Sequence, residues 1–133
     1  MTNSRAKGRK NELRVAKFYQ QQPNTIVQLA PMSRKWQDNQ DFFGIWDLMV
    51  KKLDKSQIVP GEEAGAIDKT IINTFWVQVK SNQKPPLEPF QTWCDRWCNK
   101  YEEAHLWVVR DRRTARLFVM KPNQEAVETE VKL

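Results

Sequence analysis

Two polar side chains sit two positions apart in the run Phe75-Trp76-Val77-Gln78-Val79-Lys80-Ser81, which is otherwise β-branched and aromatic. Strand side chains alternate, so Gln78 and Lys80 share one face, about 7 Å apart, and Phe75, Val77 and Val79 share the other. A half-wetted strand of an antiparallel sheet has the same pattern. A second apolar run, Gly44-Ile45-Trp46-Asp47-Leu48-Met49-Val50, carries an acid at its mouth. Asp41, upstream on the same stretch, is the reserve candidate for that acid's role, and Gly44 between the two predicts a bend. Asp47 is preferred because an unbroken apolar strand follows it.

A third acid lies on a helix. With Glu12 at zero and about 100° per residue, Ala16 and Tyr19 fall within roughly 40° of it and Val15 about 60° away. Lys7, Lys10, Arg14 and Lys17 cluster on the opposite side. A carboxylate in the middle of an apolar stripe loses hydration worth several kcal/mol, roughly, unless it is paired or bound to a cation. An internal ion pair, a solvated first turn and a metal pocket all satisfy that condition. Together these residue types are the ones that phosphodiester hydrolysis at a hard cation uses. Asp47 and Glu12 offer carboxylates, Gln78 an amide oxygen, and the Val79 main chain a carbonyl. Lys80 can orient the attacking water or offset charge developing on the phosphate.

The elements that must hold these groups follow from pattern. A helix is predicted over Ser4 to Gln22, stopped by Pro23 and Asn24. Strands are predicted over Thr25 to Ala30, Gly44 to Leu53 and Thr70 to Ser81. Pro31 to Gln40 reads as a polar loop, and Asp54 to Lys69 as a long loop or loose hairpin. After Pro85 and Pro86 a second helix runs from Glu88 to Ala104. Strands over Leu106 to Arg110 and Ala115 to Lys121 follow, joined by a turn at Asp111 to Thr114, and Glu125 to Leu133 offers an edge strand. The fold class is therefore α/β: a single domain with a mixed central β-sheet flanked by helices, in α-β-β-β-α-β-β order. Phe90, Trp93, Trp97 and Tyr101 recur at helical spacing and are read as core packing against the sheet. Cys94 and Cys98, with only His105 nearby, do not make a four-ligand zinc site and are read as packing residues.

Bulk properties narrow the partner. The chain has 133 residues, enough for one domain with a core of its own. Its formal net charge of +6 and pI of about 9.5 favour a polyanion. No apolar run is long enough to span a membrane, and Met1 to Lys10 lacks the hydrophobic segment of a signal peptide, so a cytoplasmic location is expected. Cations placed to meet phosphates are Arg5, Lys7, Arg9 and Lys10 at the start of the first helix. Arg34 and Lys35 in the first loop, with the neutral hydroxyl of Ser33 beside them, and Lys84 after the third strand complete the phosphate-contacting set.

The pieces Lys7-Gly8-Arg9-Lys10-Asn11-Glu12-Leu13, Gly44-Ile45-Trp46-Asp47-Leu48 and Trp76-Val77-Gln78-Val79-Lys80-Ser81, with the aromatic helix after them, resemble the PD-(D/E)XK nuclease superfamily. Within it they look most like the archaeal-type Holliday junction resolvases and their phage or viral relatives. The resemblance spans about Arg5 to Arg110. It implies a restriction-endonuclease-like core and a homodimeric endonuclease of DNA recombination and repair that cuts four-way junctions. Mg²⁺ or Mn²⁺ is the implied cofactor, with no other small molecule. Water activated at the metal would leave 5′-phosphate and 3′-hydroxyl ends. By position, Asp47 is the metal-binding acid, Gln78 stands where Glu or Asp is usual, Lys80 is the motif lysine and Glu12 the helix glutamate. Ser81 matches a small hydroxyl residue that often follows the lysine there, and it is counted among the DNA-binding residues. Trp46 replaces a proline, and Gln78 removes a full negative charge, although restriction-type members with glutamine there still cut. A restriction-type or nicking endonuclease on linear duplex, a catalytically weakened DNA-binding protein of this fold, and a basic protein-interaction module are the alternatives.

Overall fold

The computed structural model describes residues 4–31, 41–54 and 71–133. The first loop's Ser33, Arg34 and Lys35, and nearly all of the stretch from Asp54 to Lys69, lie outside the described residues. The side chains of Arg5 and Lys7 do as well.

Helix α1 covers Ser4–Gln20. It ends where Asn24 takes a left-handed φ of 55°, ahead of β1 at Thr25–Leu29. Strands β2 (Leu48–Asp54) and β3 (Ile71–Ser81) continue an antiparallel meander, with Leu29 opposite Leu48 and Leu48 opposite Val77. Helix α2 (Glu88–Trp97) then crosses over to β4 (Glu102–Val109), which lies parallel to β3. Strands β5 (Thr114–Met120) and β6 (Val127–Lys132) close an antiparallel edge, so the six strands stand in chain order. The molecule is a single α/β domain with a mixed sheet and a helix on each face.

Alternation along β3 sorts the core as the sequence predicts. Phe75, Val77 and Val79 pack with Val15, Ala16 and Tyr19 of α1. On the other face Trp76 joins Phe90, Trp93 and Cys94 of α2, and Cys98 packs against the same cluster. On the α1 side a buried polar chain ties helix to sheet. Trp107 Nε1 donates to the Tyr19 hydroxyl at 2.8 Å, and that hydroxyl meets His105 Nδ1 at 2.6 Å.

Three boundaries differ by four or more residues from the sequence expectation. Strand β2 starts at Leu48 instead of Gly44, because Phe42 to Trp46 close a tight turn with left-handed φ at Phe43 and Gly44. Helix α2 stops at Trp97 instead of reaching Ala104, and β4 starts at Glu102 instead of Leu106. Ala104 through Val109 are all buried because β4 is central and covered on both faces. An unbroken apolar run of that kind has no period to separate strand from helix. The Asn99 side chain accepts the Tyr101 N–H at 2.8 Å, a turn that breaks the helix and sets the parallel register. The aromatic stripe is accordingly shorter than expected. Phe90 is buried and Trp93 half-buried, but Trp97 and Tyr101, 61% and 38% exposed, do not pack in the core.

Candidate active site

The polar groups converge where β2 begins. Main-chain bonds clamp Asp47 between its neighbours: its N–H donates to the Val77 carbonyl and its own carbonyl accepts from Ala30, each at 2.8 Å. The carboxylate is turned past the end of β2 toward the part of β3 beyond their last pair, where Oδ2 accepts the Val79 N–H at 2.8 Å. Val77 and Val79 both direct their backbone groups toward β2, so the Val79 carbonyl lies on the same edge, beyond the last paired residue of β2.

Glu12 reaches this point from α1, near enough for its carboxylate to raise the cost of charge on Asp47. It also pairs with Arg9 at 3.2 Å, and the same Arg9 nitrogen donates to the Ala30 carbonyl at 3.0 Å. The ion pair foreseen as one option for Glu12 thus coexists with the second acid. Arg9 is committed to holding Glu12 and the end of β1.

Asp41, the reserve candidate, stands close to Asp47. Phe42 bridges Trp46 with bonds of 2.8 and 3.0 Å, and Phe43 and Gly44 take φ of 55° and 69° in the turn between. That register sets Asp41 opposite Asp47. Trp46 serves the turn through its main chain, donating its N–H to the Phe42 carbonyl, which a proline could not do. Its indole is fully buried against Phe90 and Trp93.

Crowded acids titrate abnormally. Burial pushes the Asp47 carboxyl up to about 8; Glu12 and Asp41 add to the rise, while the Val79 N–H and Lys80 oppose it. Burial also raises Glu12, against the pull of Arg9. At neutral pH the pair therefore holds a proton that a cation would displace.

Gln78 is buried on the α2 face. In the amide orientation that satisfies its surroundings, Nε2 donates to Asp47 Oδ2 at 3.0 Å and to the Ile45 carbonyl. Its oxygen then accepts from Lys80 Nζ at 3.2 Å. Gln78 thus offers Asp47 a donor, and the exposed Lys80 is aligned through it. Turning the amide oxygen toward a cation beside Asp47 would break these bonds.

Among the described residues no group of three or more His, Cys, Asp or Glu side chains could hold a metal ion. What is present is a carboxylate pair, Glu12 and Asp47, and one strand-edge carbonyl, Val79. That set suits Mg²⁺, which keeps several waters and takes one or two carboxylates, and not an all-protein cage.

One contact at the site was not foreseen. Asn11, buried next to Glu12, donates to Ser81 Oγ at 2.7 Å and ties α1 to the end of β3. A second polar residue beside Glu12 on the helix was the available signal. Lys10 is exposed on α1, and Lys84 lies apart, over the Phe118 ring at 5.5 Å.

No family model, no curated protein and no solved structure matches this chain.

Proposed function

We propose that the chain is a metal-dependent endodeoxyribonuclease acting on branched DNA, with four-way junctions as the leading substrate. One observation carries the reading. Two carboxylates from separate elements, half-buried Glu12 and buried Asp47, are brought together at one end of the sheet, with Asp47 raised to about 8. Burying Asp47 beside a second carboxylate is unfavourable even with Arg9 paired to Glu12, and perturbed acids of this kind cluster at functional sites. The Val79 edge of β3 beside Asp47, the aligned Lys80 and the net charge of +6 support a phosphodiester substrate. The antiparallel β1–β3 meander followed by a crossover to parallel β4 suits the nuclease core that the sequence resembles.

Glu12, Asp47 and the Val79 carbonyl would hold Mg²⁺ or Mn²⁺. When bound, the ion supplies Lewis acidity and a water of lowered pKa. Lys80, at the solvent side of Gln78, faces the incoming phosphate and offsets its charge. Arg9 fixes the Glu12 carboxylate, and Asn11 fixes Ser81. Cutting paired strands of a two-fold junction needs two symmetric sites, so the active species is a homodimer. Labelled junction, flap and linear duplexes offered side by side with Mg²⁺ give junction cleavage first. Preferential cutting of linear duplex would move the assignment to a restriction-type or nicking enzyme.

Gln78 favours a second reading, a nuclease fold that only binds DNA, because its amide gives Asp47 a donor where the family has an acid. Calorimetry with Mn²⁺ separates the two. The catalytic reading predicts heat from the intact chain, tighter binding in Gln78→Glu and none in Asp47→Ala. Heat only in Gln78→Glu would favour the binding protein.

A further inference from the structure

Beside the acid pair lies a groove that the proposed chemistry does not use. Its walls are Lys10, Asn11 and Arg14 of α1 on one side, and Asn82, Arg110 and Arg112 on the other. Val109 and Asp111 complete the lining. The β4–β5 turn that carries the two outer arginines is built to be rigid. Asp111 Oδ1 accepts the backbone N–H groups of Arg113 and Thr114 at 2.7 and 2.8 Å, and both its oxygens accept from the Thr114 hydroxyl at 3.1 Å. Those bonds hold the Asp111 carboxyl below the usual carboxylate range and engage it within its own turn. Arg14 fastens the turn to α1, donating to the Asp111 carbonyl at 3.1 Å and to the Arg112 carbonyl. The Arg113 carbonyl accepts from Leu133 at 2.8 Å, which ties the chain end to the same turn.

The arginines that result are exposed and presented from an ordered backbone, so the loop itself has no further ordering to undergo when they meet a ligand. Arg110, Arg112 and Lys10 project cations, and Asn11 and Asn82 add amides. The groove also leads to the candidate site: Asn11 borders it and bonds Ser81, the residue after Lys80. Planar guanidinium groups at the rim of a concavity suit phosphate oxygens, and Val109 with the aliphatic stems of the long side chains forms its floor.

We propose that this groove is a phosphate track that seats the backbone of a DNA arm beside the cleavage site, with Arg110, Arg112 and Lys10 as its contacts. The proposal rests on the DNA reading above but not on catalysis, and it adds the β4–β5 turn to the DNA-binding surface. A membrane of acidic lipid is the competing polyanion. It would sit poorly here, because the cations rim a concavity and no exposed apolar side chain lines it.

The test is fluorescence anisotropy of a labelled duplex against the full chain, without divalent metal, over a KCl series. Arg110→Ala/Arg112→Ala should weaken binding at least about tenfold at low salt. It should also flatten the log K against log[KCl] slope by about 1.8, since each phosphate contact is worth about 0.9. Arg110→Lys/Arg112→Lys should keep most of the slope, which a merely structural role for the turn would not predict, and matching thermal melts exclude misfolding. Unchanged affinity and slope in the alanine variant would overturn the track. So would an intact chain that ignores duplex but binds phosphatidylserine vesicles. If the track behaves as expected while no DNA is cut with Mg²⁺, the nuclease reading fails and the track stands.

Discussion

Asp47 is the residue on which the chemistry turns, and its protonation makes a prediction independent of cleavage. Its carboxyl is pushed up to about 8 from an ordinary 3.8, with burial as the leading cause. Between those values the folded chain holds a proton that the unfolded chain has lost. Stability without metal therefore falls as pH rises from about 4 toward 8, and the raised Glu12 acts in the same direction. Asp47→Asn cannot ionise. In EDTA at about pH 8 it should melt roughly 3–5 °C above the intact chain, at least about 1 kcal/mol, and the difference should shrink near pH 5. Mg²⁺ reverses the ranking: it stabilises the intact chain increasingly with pH and leaves the variant unchanged. A variant less stable than the parent at pH 8 in EDTA would show that Asp47 is ionised and well paired without metal. At this scale the sequence was informative where alternation governs. Gln78 and Lys80 fall on one face and Phe75, Val77 and Val79 on the other, as period two requires. The turn that sets Asp41 opposite Asp47 was visible only as a bend at Gly44. The left-handed φ of Phe43 has no residue-type signature, because phenylalanine seldom adopts it.

Elements position these residues, and two glycines probe them with opposite signs. Gly8 lies inside α1 with open space where a Cβ would stand. Gly8→Ala should stabilise the chain by about 0.5–1 kcal/mol through helix propensity. Gly44 also has open space around its missing Cβ but sits at φ 69° in the turn between Asp41 and Asp47. Gly44→Ala should cost about 1–2 kcal/mol from backbone strain alone. Urea titration reads both, and a shift of the same sign in the two variants would contradict the conformations assigned here. Helix α1 and the meander could be read from the sequence because amphipathic and alternating patterns mark them. The start of β4 could not. Its apolar run is continuous, and the Asn99 turn that ends α2 depends on a side-chain bond to Tyr101. The tie between Asn11 and Ser81 likewise depends on tertiary approach of residues 70 positions apart.

At the level of the whole molecule, a mixed sheet with a helix on each face brings an acid from α1, an acid from the start of β2 and a lysine from β3 to one end of the sheet. The fold class followed from element order, and the two core faces from periodicity. The basic surplus pointed to a polyanion, with contacts expected on α1, in the first loop and at Lys84, but the β4–β5 turn was not among them, because Arg14 draws that turn onto α1 only in the folded chain. None of the described helices is long and apolar enough to cross a membrane. The most direct measurement is incubation of the intact chain and Asp47→Ala with labelled four-way junction DNA, with and without Mg²⁺. The account predicts cleavage by the intact chain only when Mg²⁺ is present, with activity in Asp47→Ala lower by a factor of at least about 10³, or roughly 4 kcal/mol of barrier. No cleavage by the intact chain, or equal cleavage by Asp47→Ala, would contradict it.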